Sequence, residues 1–137
     1  MPETSPKPQE NRDQVDWSEA LKVTGGDEQL LTDLAVAFLQ EAPAMLSRIE
    51  TAIDNRDAEL LRRSAHTVKG SLRPFGAPKM ASEYAWQIEQ IGAKPDPRVQ
   101  PVEEVTVEDW SRTKELYGLL NEKMQPILDA MKERVKK

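Results

Sequence analysis

Apolar residues along this chain recur every three or four positions and nowhere alternate with period two, so the pattern predicts helices and no strands. Val15, Trp17, Ala20 and Leu21 form a short amphipathic helix that stops at Gly25-Gly26. Asp27 is placed to cap the next helix, striped by Leu30, Leu31, Leu34, Ala35, Phe38 and Leu39. Pro43 lacks an N–H and clashes with the preceding turn. It predicts a break or bend there, with a new helix carrying Met45, Leu46, Ile49, Ala52 and Ile53. Asn55-Arg56-Asp57 reads as a turn, and Asp57 caps a helix from about Ala58 to Arg73 that Pro74 and Gly76 end. Pro78 opens another, with Met80, Tyr84, Ile88 and Ile91 on its stripe and Gly92 at its close. Pro95, Pro97 and Pro101 mark an extended loop. The last helix starts at Thr106, with Glu108 and Asp109 in its positive first turn. Trp110, Leu116, Leu119, Leu120, Met124, Ile127 and Leu128 stripe it, and Pro126 predicts a kink or a split near its end. The expected fold is all-α, most simply an antiparallel helical bundle with short extra N-terminal helices. Residues 1–14 hold three prolines and no apolar residue beyond Met1, and read as a disordered lead-in or linker to one domain at 15–137.

Composition narrows the function classes. The chain has 137 residues, enough for one core, and 24 acidic against 19 basic side chains, a net charge of −5. That sign argues against nucleic-acid binding, which rests on a basic surface. The absence of cysteine removes disulfide scaffolds, zinc ribbons and thiol catalysis. One histidine and no cysteine leave no ligand set for a metal, and no cofactor is expected. No apolar run reaches the roughly 18 residues that span a bilayer, and the start has neither the basic region nor the apolar core of a signal peptide. The expectation is a cytoplasmic, monomeric protein with no membrane or nucleic-acid partner.

The distribution of charge is more informative than its sum. From Leu60 to Ser82 there is no Asp or Glu, while Arg62, Arg63, Lys69, Arg73 and Lys79 fall there, a window of +5 in a remainder of −10. The single histidine, His66, lies inside it. At 100° per residue, Leu61, Ala65, Val68 and Leu72 share a roughly 40° core sector, and His66 lies roughly 130° from its centre, facing solvent. Arg62, Lys69 and Arg73 share its side, and Lys69 and Gly70 lie one turn on. A neutral, exposed imidazole is a competent nucleophile near neutral pH. Lys69 is placed to offset the charge of a phosphoryl group it receives. Gly70, at roughly 1 kcal/mol worse than alanine in a helix, either opens access to the ring or permits close helix packing. On its own, a surface histidine with basic flanks is more often incidental than functional.

The string Ala65-His66-Thr67-Val68-Lys69-Gly70-Ser71, followed by Gly76-Ala77, resembles the signature of histidine-containing phosphotransfer (HPt) domains. The resemblance extends to Gly26-Asp27, Phe38-Leu39-Gln40-Glu41, Leu46, Ala52, Asp57 and Leu61 upstream, and to Ile88-Glu89 downstream. It implies an antiparallel four-helix bundle in which His66 carries a phosphoryl group exchanged with the aspartate of response-regulator receiver domains in a multistep phosphorelay. It also implies a carrier with no kinase activity of its own, served by Mg²⁺ held on the receiver, and a hybrid sensor histidine kinase as a further partner. Lys69 would stabilise the phosphoryl group, and Gly70 and Gly76 would give room and end the helix; the basic window, apart from the resemblance, adds Arg62, Arg63 and Arg73 as a weaker binding field. Some family members orient the histidine through a glutamine on the neighbouring helix. Ile88 stands at the aligned position here, with Gln87 beside it as the alternative, or else water or a backbone group. The pattern departs from the family at Leu72, where a small residue is common, and at Arg73-Pro74. No carboxylate near His66 in sequence forms a base–orienter pair with it. The rival readings are a histidine-kinase dimerisation domain and a non-catalytic helical scaffold docking an acidic partner.

Overall fold

In the computed structural model, which describes residues 13–136, three aspartates start helices. Asp16, Asp27 and Asp57 have extended backbones, and their carboxylates accept the N–H groups of Glu19, Leu30 and Leu60 at 2.9, 3.0 and 3.0 Å. Asp27 and Asp57 are the caps that the sequence predicts. The helices they open are α1 (Trp17–Val23), α2 (Glu28–Asn55) and α3 (Ala58–Leu72). A 3₁₀ turn at Arg73–Phe75 follows, then α4 (Lys79–Ala93) and α5 (Val107–Lys136). A reciprocal cap begins α5: Asp109 N–H donates to Thr106 Oγ1 at 3.0 Å, and Thr106 N–H to Asp109 Oδ2 at 2.9 Å.

Helices α2 to α5 pack in a ring, each against its two neighbours. The ring is antiparallel. Gly92, late in α4, lies against the backbone of Arg62 early in α3, and Arg134, late in α5, reaches Glu28 at the start of α2. Leu31, Ile49, Leu61, Ile88, Leu116 and Met124 fill the centre with no exposure, each stabilising the fold by about 1.5–3 kcal/mol. This is the all-α antiparallel bundle that the periodicity predicts, with the four helices that the resemblance implies. Among the described residues one short helix precedes it rather than several.

Neither interior proline breaks or splits its helix. Helix α2 runs unbroken through Pro43, and α5 runs unbroken through Pro126. A proline costs a helix about 3 kcal/mol. The buried stripe crosses each one: Phe38, Ala42, Met45 and Leu46 around Pro43, and Met124, Ile127 and Met131 around Pro126. Two such side chains outweigh the penalty, and both prolines sit on the exposed face. Gly92 closes its helix to within one residue, α4 ending at Ala93. It lies inside α4, where a Cβ would stand 2.6 Å from Arg62 N and 2.8 Å from Ala58 O. Its missing side chain lets α3 and α4 touch through their backbones.

The far end of α3 is pinned. Pro74 offers no N–H to Gly70, so Arg73 N–H turns to the Gly70 carbonyl and the helix tightens into the 3₁₀ turn. Gly76 then reverses the chain at φ +85°, pressed so close to Asp16 that a Cβ would meet the Asp16 Cβ at 2.5 Å. Asp16 N–H donates to Phe75 O at 3.0 Å, and the Phe75 ring packs edge-on to Trp17 and Phe38. The expected lead-in lies outside the described residues as far as residue 12. Asp13 accepts Met80 N–H at 3.1 Å, supplying the cap that Pro78 cannot give α4.

Candidate functional site

The core stripe of α3 is the predicted one: Leu61, Ala65, Val68 and Leu72 are fully buried. This fixes the rotation of the helix and turns His66 outward, with 58% of its side chain exposed. Its ring is held from the neighbouring helix. Nδ1 lies 2.9 Å from Glu89 Oε2, and Lys69 Nζ lies 2.8 Å from the other oxygen, Oε1. The ammonium meets Oε1 as an ion pair rather than as a well-aligned hydrogen bond. Three side chains thus form one cluster, in which a single carboxylate grips both the imidazole and the lysine.

Glu89 is only 13% exposed at its side chain. Burial pushes its carboxyl up, but Lys69 and His66 together pull it further down, below its ordinary value. It is therefore a carboxylate and can only accept. Nδ1 must carry the proton and donate it, which leaves the lone pair on Nε2, the nitrogen with no partner in the cluster. No carboxylate near His66 in sequence pairs with it; the partner comes from another helix, 23 residues on. The glutamine reading is overturned. Gln87 Nε2 donates to Glu83 Oε2 at 3.0 Å, away from the ring, and Ile88 is fully buried in the core. Sequence reasoning quoted Glu89 only as half of a matched pair. Its signal was the acidic residue itself, one place past the aligned position.

The remaining predicted residues separate by role. A Cβ on Gly70 would meet nothing within 4 Å, so its purpose is not packing; it leaves open space one turn from the imidazole. Beyond it, Leu34, Phe38, Met45, Ser71 and Pro74 line an apolar groove of about 240 Å³ between α2 and α3. Gly76 acts at the end of the helix, as described above. Arg62 is not free for a ligand: it grips Glu59 through two hydrogen bonds of 3.2 and 2.7 Å and lies 3.6 Å from Asp96. Arg63 is exposed, 3.4 Å from the same Glu59. Arg73 is exposed at the end of α3 and makes no ion pair among the described residues. The +5 window is thus partly neutralised by Glu59, Glu89 and Asp96, which lie outside it in sequence and fold back onto it.

Asp96 ties the loop after α4 to the histidine helix. Its carboxylate accepts from the Arg98 guanidinium at 2.9 and 2.7 Å and from Arg98 N–H at 2.9 Å. These bonds hold its pKa down, from an ordinary 3.8 to about 2. A depressed carboxyl stabilises the fold in full above its ordinary pKa and loses that contribution as pH falls through the folded value. The Tm difference between wild type and Asp96→Asn should therefore be constant above about pH 5 and shrink as pH falls towards 2. Thermal unfolding followed by circular dichroism measures it. A difference that stays constant down to pH 2 would remove the network from the stability of the fold.

No helix among the described residues is long and apolar enough to cross a membrane. No curated protein and no solved structure matches the chain. A family model does: the one described as Hpt domain matches residues 33–133, well over half of the sequence.

Proposed function

This chain belongs to the Hpt domain family, and from that premise we propose that His66 is its phosphoacceptor and Lys69 and Glu89 its supporting groups. Hpt domains are histidine phosphotransfer modules of phosphorelays, carriers rather than kinases, and they interact with response-regulator receiver domains. The observation that carries the residue assignment is the Glu89 carboxylate bound to both His66 Nδ1 and Lys69 Nζ.

Transfer then has a definite course. The Nε2 lone pair attacks the phosphorus of a receiver's aspartyl phosphate, the P–O bond to the aspartate breaks, and the carboxylate leaves with the electron pair. The imidazole keeps its Nδ1 proton and gains positive charge, which Glu89 faces at 2.9 Å. Lys69 stands one turn away, beside the incoming phosphoryl oxygens. The open space at Gly70 admits the donor. The receiver brings the Mg²⁺ and its acidic pocket. Reversal of the same steps returns the group to an aspartate.

The test is incubation of the wild-type chain with phosphorylated receiver domains, following acid-labile, alkali-stable label. A chain that takes no label from any receiver of its source genome overturns the reading. Lys69→Ala should slow transfer by about tenfold with the helical fold retained, since it removes one charge-assisted contact to the phosphoryl group and leaves Glu89 Oε1 buried without its cation. An unchanged rate in rapid-quench measurements would take Lys69 out of the mechanism.

A further inference from the structure

The chain has three tryptophans, and two of them are accounted for by packing. Trp110 is 7% exposed in the core, and Trp17 lies between Phe75 and the Arg134 guanidinium, 5.0 Å above its ring. Trp86 is different: it stands on α4 with 45% of its surface open to solvent. A large aromatic left outside the core exposes apolar area that water disfavours, and such side chains are enriched at the centres of protein interfaces.

Its position is set by register. Trp86 lies three residues before Glu89, so it stands one turn along the same side of α4, about 5 Å away between helix backbones. Glu89 touches His66. Lys79, exposed, lies seven residues before Trp86 on that same strip. On α3, Lys69 faces α4 through its ion pair with Glu89, and Arg73, four residues later, continues that line. The indole thus stands beside the phosphoacceptor, flanked on its own helix by Glu83 and Gln90 and, two turns back, by Lys79.

On the proposed function above, a receiver must bring its aspartate to Nε2 of His66. A stable protein interface covers about 800 Å² on each partner, a disc of roughly 16 Å radius. One centred on His66 cannot stop at α3; it reaches Trp86. We propose that the docking surface crosses α3 onto α4, and that Trp86 is its apolar anchor, with Lys79 and Arg73 meeting acidic groups at the rim of the receiver's pocket. The inference rests on the phosphotransfer reading but makes a separate demand, on a residue that takes no part in the chemistry.

The experiment measures transfer and receiver affinity for wild type, Trp86→Ala and Trp86→Gln, with the receiver that labels wild type fastest. Both variants should bind that receiver at least about tenfold more weakly, raising KM while leaving kcat at saturating receiver unchanged. Their thermal midpoints should match wild type, because the side chain faces outward. Wild type that labels normally beside variants with unchanged affinity overturns the role of Trp86 and leaves the phosphotransfer reading standing. Wild type that takes no label from any receiver overturns both. Self-association of wild type that either variant abolishes, with transfer unaltered, assigns the patch to a second copy of this chain and overturns the proposal.

Discussion

His66→Gln should take no acid-labile label from a phosphorylated receiver, a loss of at least about 10³-fold against wild type, while keeping the helical signal of the parent. Glutamine keeps the polarity and much of the bulk of histidine but has no nitrogen lone pair to attack phosphorus. No neighbour can replace it. Lys69 Nζ is an ammonium paired with Glu89 at 2.8 Å. The Thr67 hydroxyl donates to Arg63 O at 3.0 Å, and no base activates it. His66 lies outside the core with more than half of its side chain exposed, so its replacement leaves the packing of Leu61, Ala65 and Val68 intact. The measurement is radiolabel on the gel-separated chain, with far-UV circular dichroism as the control. A variant labelled as well as wild type would place the phosphoacceptor elsewhere.

The second large effect belongs to Gly92→Ala, a change of one methyl group far from the chemistry. The new Cβ meets backbone, 2.6 Å from Arg62 N and 2.8 Å from Ala58 O, and backbone cannot swing aside as a flexible side chain can. Helices α3 and α4 must separate. Overpacking of this kind costs about 1–3 kcal/mol, more than the roughly 1 kcal/mol that alanine gains in helix propensity. Net of that gain the loss is up to about 2 kcal/mol, an expected fall in Tm of up to about 8 °C. Glu89 lies one turn away on the same side of α4, so the separation also loosens its hold on His66, and transfer should slow. Gly70→Ala supplies the contrast. Its Cβ enters open space, so the variant should be more stable than wild type by up to about 1 kcal/mol and still slower in transfer, because the methyl occupies the approach to His66. Thermal melts and transfer rates on both variants decide the point. A Gly92→Ala protein as stable as wild type would mean that α3 and α4 adjust their spacing without cost.

Features governed by local rules were legible in the sequence. Asp27 and Asp57 cap helices because a short side chain reaches an N–H three residues on, whatever the rest of the chain does. The exposure of His66 followed from its angle to Leu61, Ala65, Val68 and Leu72, and the placing of Lys69 and Gly70 one turn away followed from helical pitch. The prolines show where local rules stop deciding. Pro43 and Pro126 each lack one hydrogen bond, yet burial on both sides of each, a tertiary quantity, keeps the helix whole.

The sequence by itself determined an all-α chain, the face that His66 shows to solvent and the placing of Lys69 and Gly70 beside it, because a helix relates near neighbours by fixed angles. Only the tertiary structure decided which of Gln87, Ile88 and Glu89 meets the imidazole. Consecutive helical residues point about 100° apart, so the choice depends on how α4 is rotated and slid against α3, which the backbone contact at Gly92 sets. The same folding decided the charge. A window of +5 along the chain becomes a partly paired surface, because Glu59, Glu89 and Asp96, outside it in sequence, are carried onto it by turns and packing, where charges interact through space.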